Sequence, residues 1–189
     1  MNSTTRVADV SAQLARTFAL TTAGALGLAL CSQITLHLPF TPVPINMGVL
    51  GVLLVAGTLG ARLGMLAVLE FLLLGASGAP VFASFQSTLA LFGPTGGYLL
   101  GYLPAAALFG MICERFAKGK YLARCTATFL GAVPAIAVIY LFGWAWLAFG
   151  LQLGMGKALA MGVLPFIAID MLKVMLAASA LAAFTKRDI

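Results

Sequence analysis

The stretch KALAMGVLPFIAIDMLKVMLAASALAAF, residues 157–184, decides the fold. It carries only three charges, with Lys157 at its start and Asp170 and Lys173 near its middle. An apolar run longer than the roughly 20 residues that cross a bilayer reads as a transmembrane helix. The rest of the chain has the same character: 62% of residues are hydrophobic, 8% are charged, and the mean hydropathy is +1.07. Soluble domains carry about 25% charged residues. Much of this surface therefore needs lipid as its solvent. The 189 residues hold several spans joined by short loops, and no second soluble domain is expected.

Working back from that helix, the sequence predicts an all-α membrane protein, a single bundle of six transmembrane helices over residues 1–189. The spans fall at about 16–36, 45–59, 63–75, 96–116, 122–149 and 157–184. The first is read as a retained span and not as a signal peptide. Pro39, Pro42 and Pro44 cannot continue a helix and separate spans one and two. Gly60-Ala61-Arg62 forms the turn between spans two and three. With both termini in the cytoplasm, Arg6, Arg16, Arg62, Arg115, Lys118, Lys120, Arg124, Lys186 and Arg187 all lie inside, and only Lys157 lies in an outer loop. This is the asymmetry that the positive-inside rule requires. It puts loops 37–44 and 76–95 on the outer face, where neither has a Lys, Arg, Asp or Glu. A long apolar loop does not stay readily in water, so the pair is expected to gate an outward-facing cavity.

Asp170 and Lys173 are the sharpest feature. Each costs roughly 2.5–3.5 kcal/mol at mid-span, and their i,i+3 spacing puts both on one helical face. They read as a ligand clamp, Asp170 accepting hydrogen bonds and Lys173 meeting a carboxylate; the alternative is an internal ion pair that holds helices together. Glu70 is a third intramembrane charge, whose partner the sequence leaves open. Gly93-Pro94-Thr95-Gly96-Gly97-Tyr98 opens span four, where glycines admit a ligand, a neighbouring helix or both. Ala15, Ala19, Ala23 and Gly27 recur every four residues as a smooth ridge, for packing within the bundle or for docking a partner.

Other chemistries lack their residues. His37 is the single histidine, and Cys31, Cys113 and Cys125 form no CxxC, so no His/Cys metal site is expected. No phosphate loop, nucleophile elbow or zinc-protease motif occurs. The chain is not expected to be an enzyme, to need a cofactor or to bind nucleic acid. Its energy must come from an ion gradient or from a separate subunit.

Four ordered motifs then carry a resemblance: Leu38-Pro-Phe-Thr41-Pro-Val-Pro-Ile45, Gly78-Ala-Pro-Val81-Phe-Ala-Ser-Phe85, Gly93-Pro-Thr-Gly-Gly-Tyr98-Leu-Leu-Gly101 and Asp170-Met-Leu-Lys173. Together they resemble the biotin-specific S-components of energy-coupling-factor (ECF) transporters, the BioY family, over about residues 36–178. The resemblance implies a six-helix subunit in the bacterial inner membrane that captures biotin from outside, with a transmembrane coupling (T) subunit and two cytoplasmic ATPases driving release. It implies ligand contacts from Asp170, Lys173, Val81, Phe82, Ala83, Ser84, Phe85, Gly96, Gly97 and Tyr98, with Thr41 of the first loop beside them. It also implies a docking role for Ala15, Ala19, Ala23 and Gly27. The sequence departs from the family pattern after the first loop, where Asn46 is the available amide, and after the second, where Gln86-Ser87-Thr88 replace glycines. Asn46 and Gln86 are therefore the substitutes expected at the ureido ring. The alternative function is a self-sufficient proton-coupled carrier of biotin or a small carboxylate.

Overall fold

The computed structural model describes residues 3–116 and 121–184. Lys118, Lys120, Lys186 and Arg187, which the topology places in the cytoplasm, lie outside the described residues. The described chain is almost wholly helical: α1 (Ser3–Gln33), α2 (Gly48–Ala76), a short α3 (Thr88–Phe92), α4 (Gly96–Phe116), α5 (Tyr121–Ala145), α6 (Met155–Gly162) and α7 (Leu164–Phe184). Five helical stretches are long and apolar enough to cross a membrane: Val10–Gln33, Gly48–Ala76, Gly96–Phe116, Cys125–Gly150 and Met155–Ala183. Large apolar side chains such as Leu14, Phe18, Leu30, Leu122 and Leu130 point outward, which is stable only against lipid.

The stretch Gly48–Ala76 is not one straight rod. Gly60 sits at φ 81°, a left-handed conformation that costs little only for glycine. Across it the chain folds back, because a Cβ on Gly64 would lie 2.7 Å from the Cα of Ala56. In a straight helix those residues would be about 12 Å apart. The halves 48–59 and 61–76 therefore form an antiparallel pair joined by a single glycine. Glu114, near the end of α4, accepts a hydrogen bond from the Ala61 N–H at 2.8 Å. A carboxylate there satisfies an orphan donor and complements the positive end of the helix dipole.

Other boundaries also differ from those read in the sequence. The first helix begins earlier than residue 16 and stops at Gln33, because Thr35–Leu36 (β1) pairs antiparallel with Ile45–Asn46 (β2). The prolines between them, having no N–H at those positions, leave the chain to close as a loop above this ladder. The connection 76–95 contains a 3-10 turn at Ala83–Phe85 as well as α3. Past Ala145 the helix widens into a π-turn, Trp146–Gly150, and the last hydrophobic stretch breaks at Val163 between α6 and α7. Helix α4 packs on α2 and α5, α7 on α5 and α2, and α1 on α2.

Gly60→Ala should lower stability by about 1–2 kcal/mol, since a left-handed alanine is strained and its Cβ would collide with the Glu114 carboxylate. Gly27→Ala, whose Cβ meets nothing within 4 Å, should be neutral or slightly stabilising. Thermal unfolding in detergent checks both, and equal effects would contradict the hairpin.

Candidate ligand-binding site

Helix α7 delivers Asp170 and Lys173 one turn apart to the same face, where both are 2% exposed. The Lys173 Nζ donates to Asp170 Oδ1 at 2.6 Å and to the backbone carbonyl of Asn46 at 2.7 Å. The other carboxylate oxygen, Oδ2, accepts from the Tyr140 hydroxyl at 2.6 Å. Burying the two charges is tolerable only because each is paired and further hydrogen-bonded. Neither is saturated. An ammonium has three donors and a carboxylate about four acceptor sites, so each retains capacity for a ligand.

A cavity of about 570 Å³, open mouth included, lies over this pair. Its polar wall is Ser32, Asn46, Thr95, Tyr98, Tyr102, Tyr140, Asp170 and Lys173. The remainder, Val43, Pro44, Val49, Phe82, Ala83, Leu99, Ile139 and Phe166, is apolar. An apolar cleft with a few convergent polar groups is the usual form of a small-molecule site. One corner depends on Gly48: a Cβ there would fall 2.6 Å from the Tyr102 hydroxyl, 2.7 Å from Asn46 Oδ1 and 3.2 Å from Ser32 Oγ. Only a residue without a side chain lets those three polar groups converge.

The residues singled out in the sequence divide into two groups. Asp170, Lys173, Asn46, Tyr98, Phe82 and Ala83 line the cavity. The others frame it. Gly96 and Gly97 sit against Leu91, Phe142 and Trp146, so they serve as a close helix contact. Thr41 donates to the Met161 carbonyl at 2.6 Å and ties the first loop to α6. Val81 offers its carbonyl to Gln33, Ser84 meets Thr35 and His37, and Phe85 is exposed. Of the two amides, Asn46 reaches the cavity, whereas Gln86 lies exposed, its carbonyl accepting from the Phe82 N–H at 2.9 Å. Asn46 Oδ1 accepts from the Gly48 N–H at 2.7 Å, which leaves its amide nitrogen for other partners. Glu70 accepts from Thr22 at 2.6 Å across the α1–α2 contact, so it is a packing partner of α1.

Sequence reasoning missed Tyr140, Ser32 and Phe166, whereas Tyr102, one turn after Tyr98 and read from the sequence as a pocket or interface residue, lines the cavity. Nothing local marks the other three: each is one polar or aromatic residue in an apolar helix, and only the packing of α1, α5 and α7 brings them together.

Because the pair is buried, removing one partner strands a charge. Lys173→Met alone should cost about 3–5 kcal/mol of stability. The double variant Asp170→Asn/Lys173→Met should recover much of that loss. Unfolding midpoints of the wild type, the Lys173→Met single and the double variant check this, and a double variant as unstable as the Lys173 single would contradict it.

The sequence profile of the BioY family matches residues 1–188. A probable biotin transporter BioY of Pyrococcus horikoshii is 40% identical over 70% of this chain and 74% of its own length. The biotin transporter BioY of Thermotoga maritima is 37% identical over 76% and 81%, and that of Rhizobium etli 40% over 76% and 78%. The fold matches the crystal structure of an S-component for biotin from an ECF-type ABC transporter, with a TM-score of 0.81 over 99% of this chain and 95% of the other, at 21% identity. A family profile spanning the chain, relatives identical at more than a third of the aligned positions and a common fold agree: this chain belongs to the BioY family.

Proposed function

We propose that this chain takes up biotin, capturing it at the outer face of the bacterial inner membrane as the S-component of an ECF transporter. The observation that carries the reading is the buried Asp170–Lys173 pair facing a mostly apolar cavity. Biotin is a fused apolar ring with a ureido group at one end and a carboxylate on a flexible chain. Lys173 supplies its unused N–H to the carboxylate, and Asp170 accepts from a ureido N–H; because the two side chains touch at 2.6 Å, the flexible chain folds the carboxylate back toward the ring. The amide nitrogen of Asn46 is suited to the ureido carbonyl. Phe82, Tyr98, Ile139 and Phe166 cover the ring, while Val81, Ser84, Phe85, Gln86, Thr41, Gly96 and Gly97 frame the site.

Topology supports capture from outside. The Gly60 turn meets the end of α4, so Arg62 and Arg115 share one end of the bundle. The loops that contribute Val43, Pro44, Phe82 and Ala83 to the cavity belong to the other end. With basic residues retained inside, the cavity faces out and both termini lie in the cytoplasm. The ridge on α1 supports a partner: Ala15, Ala19 and Ala23 are exposed, and a Cβ on Gly27 would meet nothing within 4 Å. A T subunit docks there in this reading, and two ATPases supply the energy.

Titration of the purified protein should show one biotin site without any partner, weakened roughly 30-fold or more by Lys173→Ala. A folded protein that binds nothing at micromolar biotin sinks the assignment. Accumulation of biotin in proteoliposomes lacking ATPases would instead favour a proton-coupled carrier. Ala23→Leu should leave biotin binding intact and prevent co-purification with the T subunit; retained assembly would return the ridge to plain packing.

A further inference from the structure

Gln33, the last residue of α1, makes contacts unlike those of any neighbour. Its Nε2 faces the carbonyls of Pro80 (3.4 Å), Val81 (3.1 Å) and Phe82 (3.1 Å). Its Oε1 accepts from the Phe85 N–H at 2.9 Å. One side chain thus engages four residues of the outer segment 80–85. That segment is held in an unfavourable shape: Ser84 and Phe85 stand at φ 57° and 58°, where successive residues with a Cβ are rarely stable. Its inner side is placed by Phe82, 1% exposed, whose ring meets Phe71 edge-on at 5.2 Å, and Phe82 and Ala83 form part of the cavity wall.

The residues just after Gln33 reach the charged pair as well. Thr35 pairs with Asn46, whose carbonyl Lys173 holds, and the Thr35 hydroxyl lies 3.2 Å from Ser84 Oγ. The end of α1 therefore bridges the outer segment and the wall that carries Lys173. Its helical part packs chiefly on α2.

We infer that Gln33 is a positioning residue that latches segment 80–85 closed over the cavity and so sets how fast a bound solute leaves. The strain at Ser84 and Phe85 opposes closure, and the Gln33 amide offsets it by satisfying backbone groups that an apolar side chain would leave unpaired. The identity of the solute rests on the biotin reading above; the latch itself does not. Losing such a set of bonds is worth on the order of tenfold in the opening equilibrium.

The test uses two readouts. In ligand-free protein, an Ala83→Cys reporter is labelled with a hydrophilic maleimide and followed at that site by peptide mass. Gln33→Leu should speed labelling about tenfold or more, and Gln33→Glu, which keeps the Phe85 bond but turns an acceptor toward the three carbonyls, should speed it as well. In the absence of the reporter, Gln33→Leu should speed dissociation of bound biotin by a similar factor while changing association less. Unchanged labelling in both variants overturns the latch, as does faster dissociation without faster labelling. An Ala177→Cys reporter in the core guards against general loosening: acceleration there equal to that at Ala83 also overturns it. If wild-type protein binds no biotin yet the labelling difference holds, the latch stands and the proposed substrate fails.

Discussion

Two opposite charges held inside a lipid-facing bundle constrain everything around them. Asp170 and Lys173 sit on α7 where water cannot reach freely, so the protein must supply the polar partners that water would have provided. It does so from three directions. The carbonyl of Asn46 comes from β2, the Tyr140 hydroxyl comes from α5, and each charge satisfies the other within α7. The helix α2 cannot begin before Gly48, because Asn46 must stay extended to present its carbonyl and pair with Thr35. Gly48 in turn must lack a side chain so that Tyr102, Asn46 and Ser32 can gather beside it. Moving any of these elements would leave a buried charge short of a partner.

The same pair explains how one cavity can serve both stability and binding. A closed ion pair that used every donor and acceptor would be inert structure. Here each partner keeps spare hydrogen-bonding capacity toward a cleft whose walls are otherwise mostly apolar. In the biotin reading, an incoming carboxylate and an incoming N–H find groups already charged, oriented and desolvated, so little reorganisation opposes binding. In the latch proposed above, the outer segment then matters for rate more than for affinity at the pair itself. Its buried Phe82 closes the wall, and its left-handed Ser84 and Phe85 make the closed shape one that must be held.

Much of the fold was legible in the sequence because lipid imposes simple demands. Long apolar runs, the proline cluster at 39–44 and the Gly60-Ala61-Arg62 turn each act locally, and each leaves a mark in composition or spacing. The charged pair was legible for the same reason: three residues of spacing on a helix fix a shared face. What stayed hidden depends on contacts distant in sequence. Tyr140 lies 30 residues from Asp170, and Gln33 lies 47 to 52 residues from the groups it holds. The short ladder Thr35–Leu36 with Ile45–Asn46 is too brief to show a period. Gly96 and Gly97 admit two uses, and the side chain of Trp146 against them accounts for the helix contact. The face of the α1 ridge was likewise undecidable until Gly24 was seen to turn inward against Val55, Leu59 and Ala67, leaving Ala19 and Ala23 outward.

In the biotin reading proposed above, Lys173 meets the carboxylate of the ligand while its ion-pair partner Asp170 accepts from a ligand N–H. The most direct measurement compares biotin with its methyl ester, which keeps the ring and loses the charge, on wild-type and Lys173→Met protein. Wild type should prefer biotin by on the order of tenfold or more, as expected for a charge-assisted hydrogen bond in a desolvated site. The variant should bind the two about equally. A preference that survives the loss of Lys173 undiminished would contradict the account.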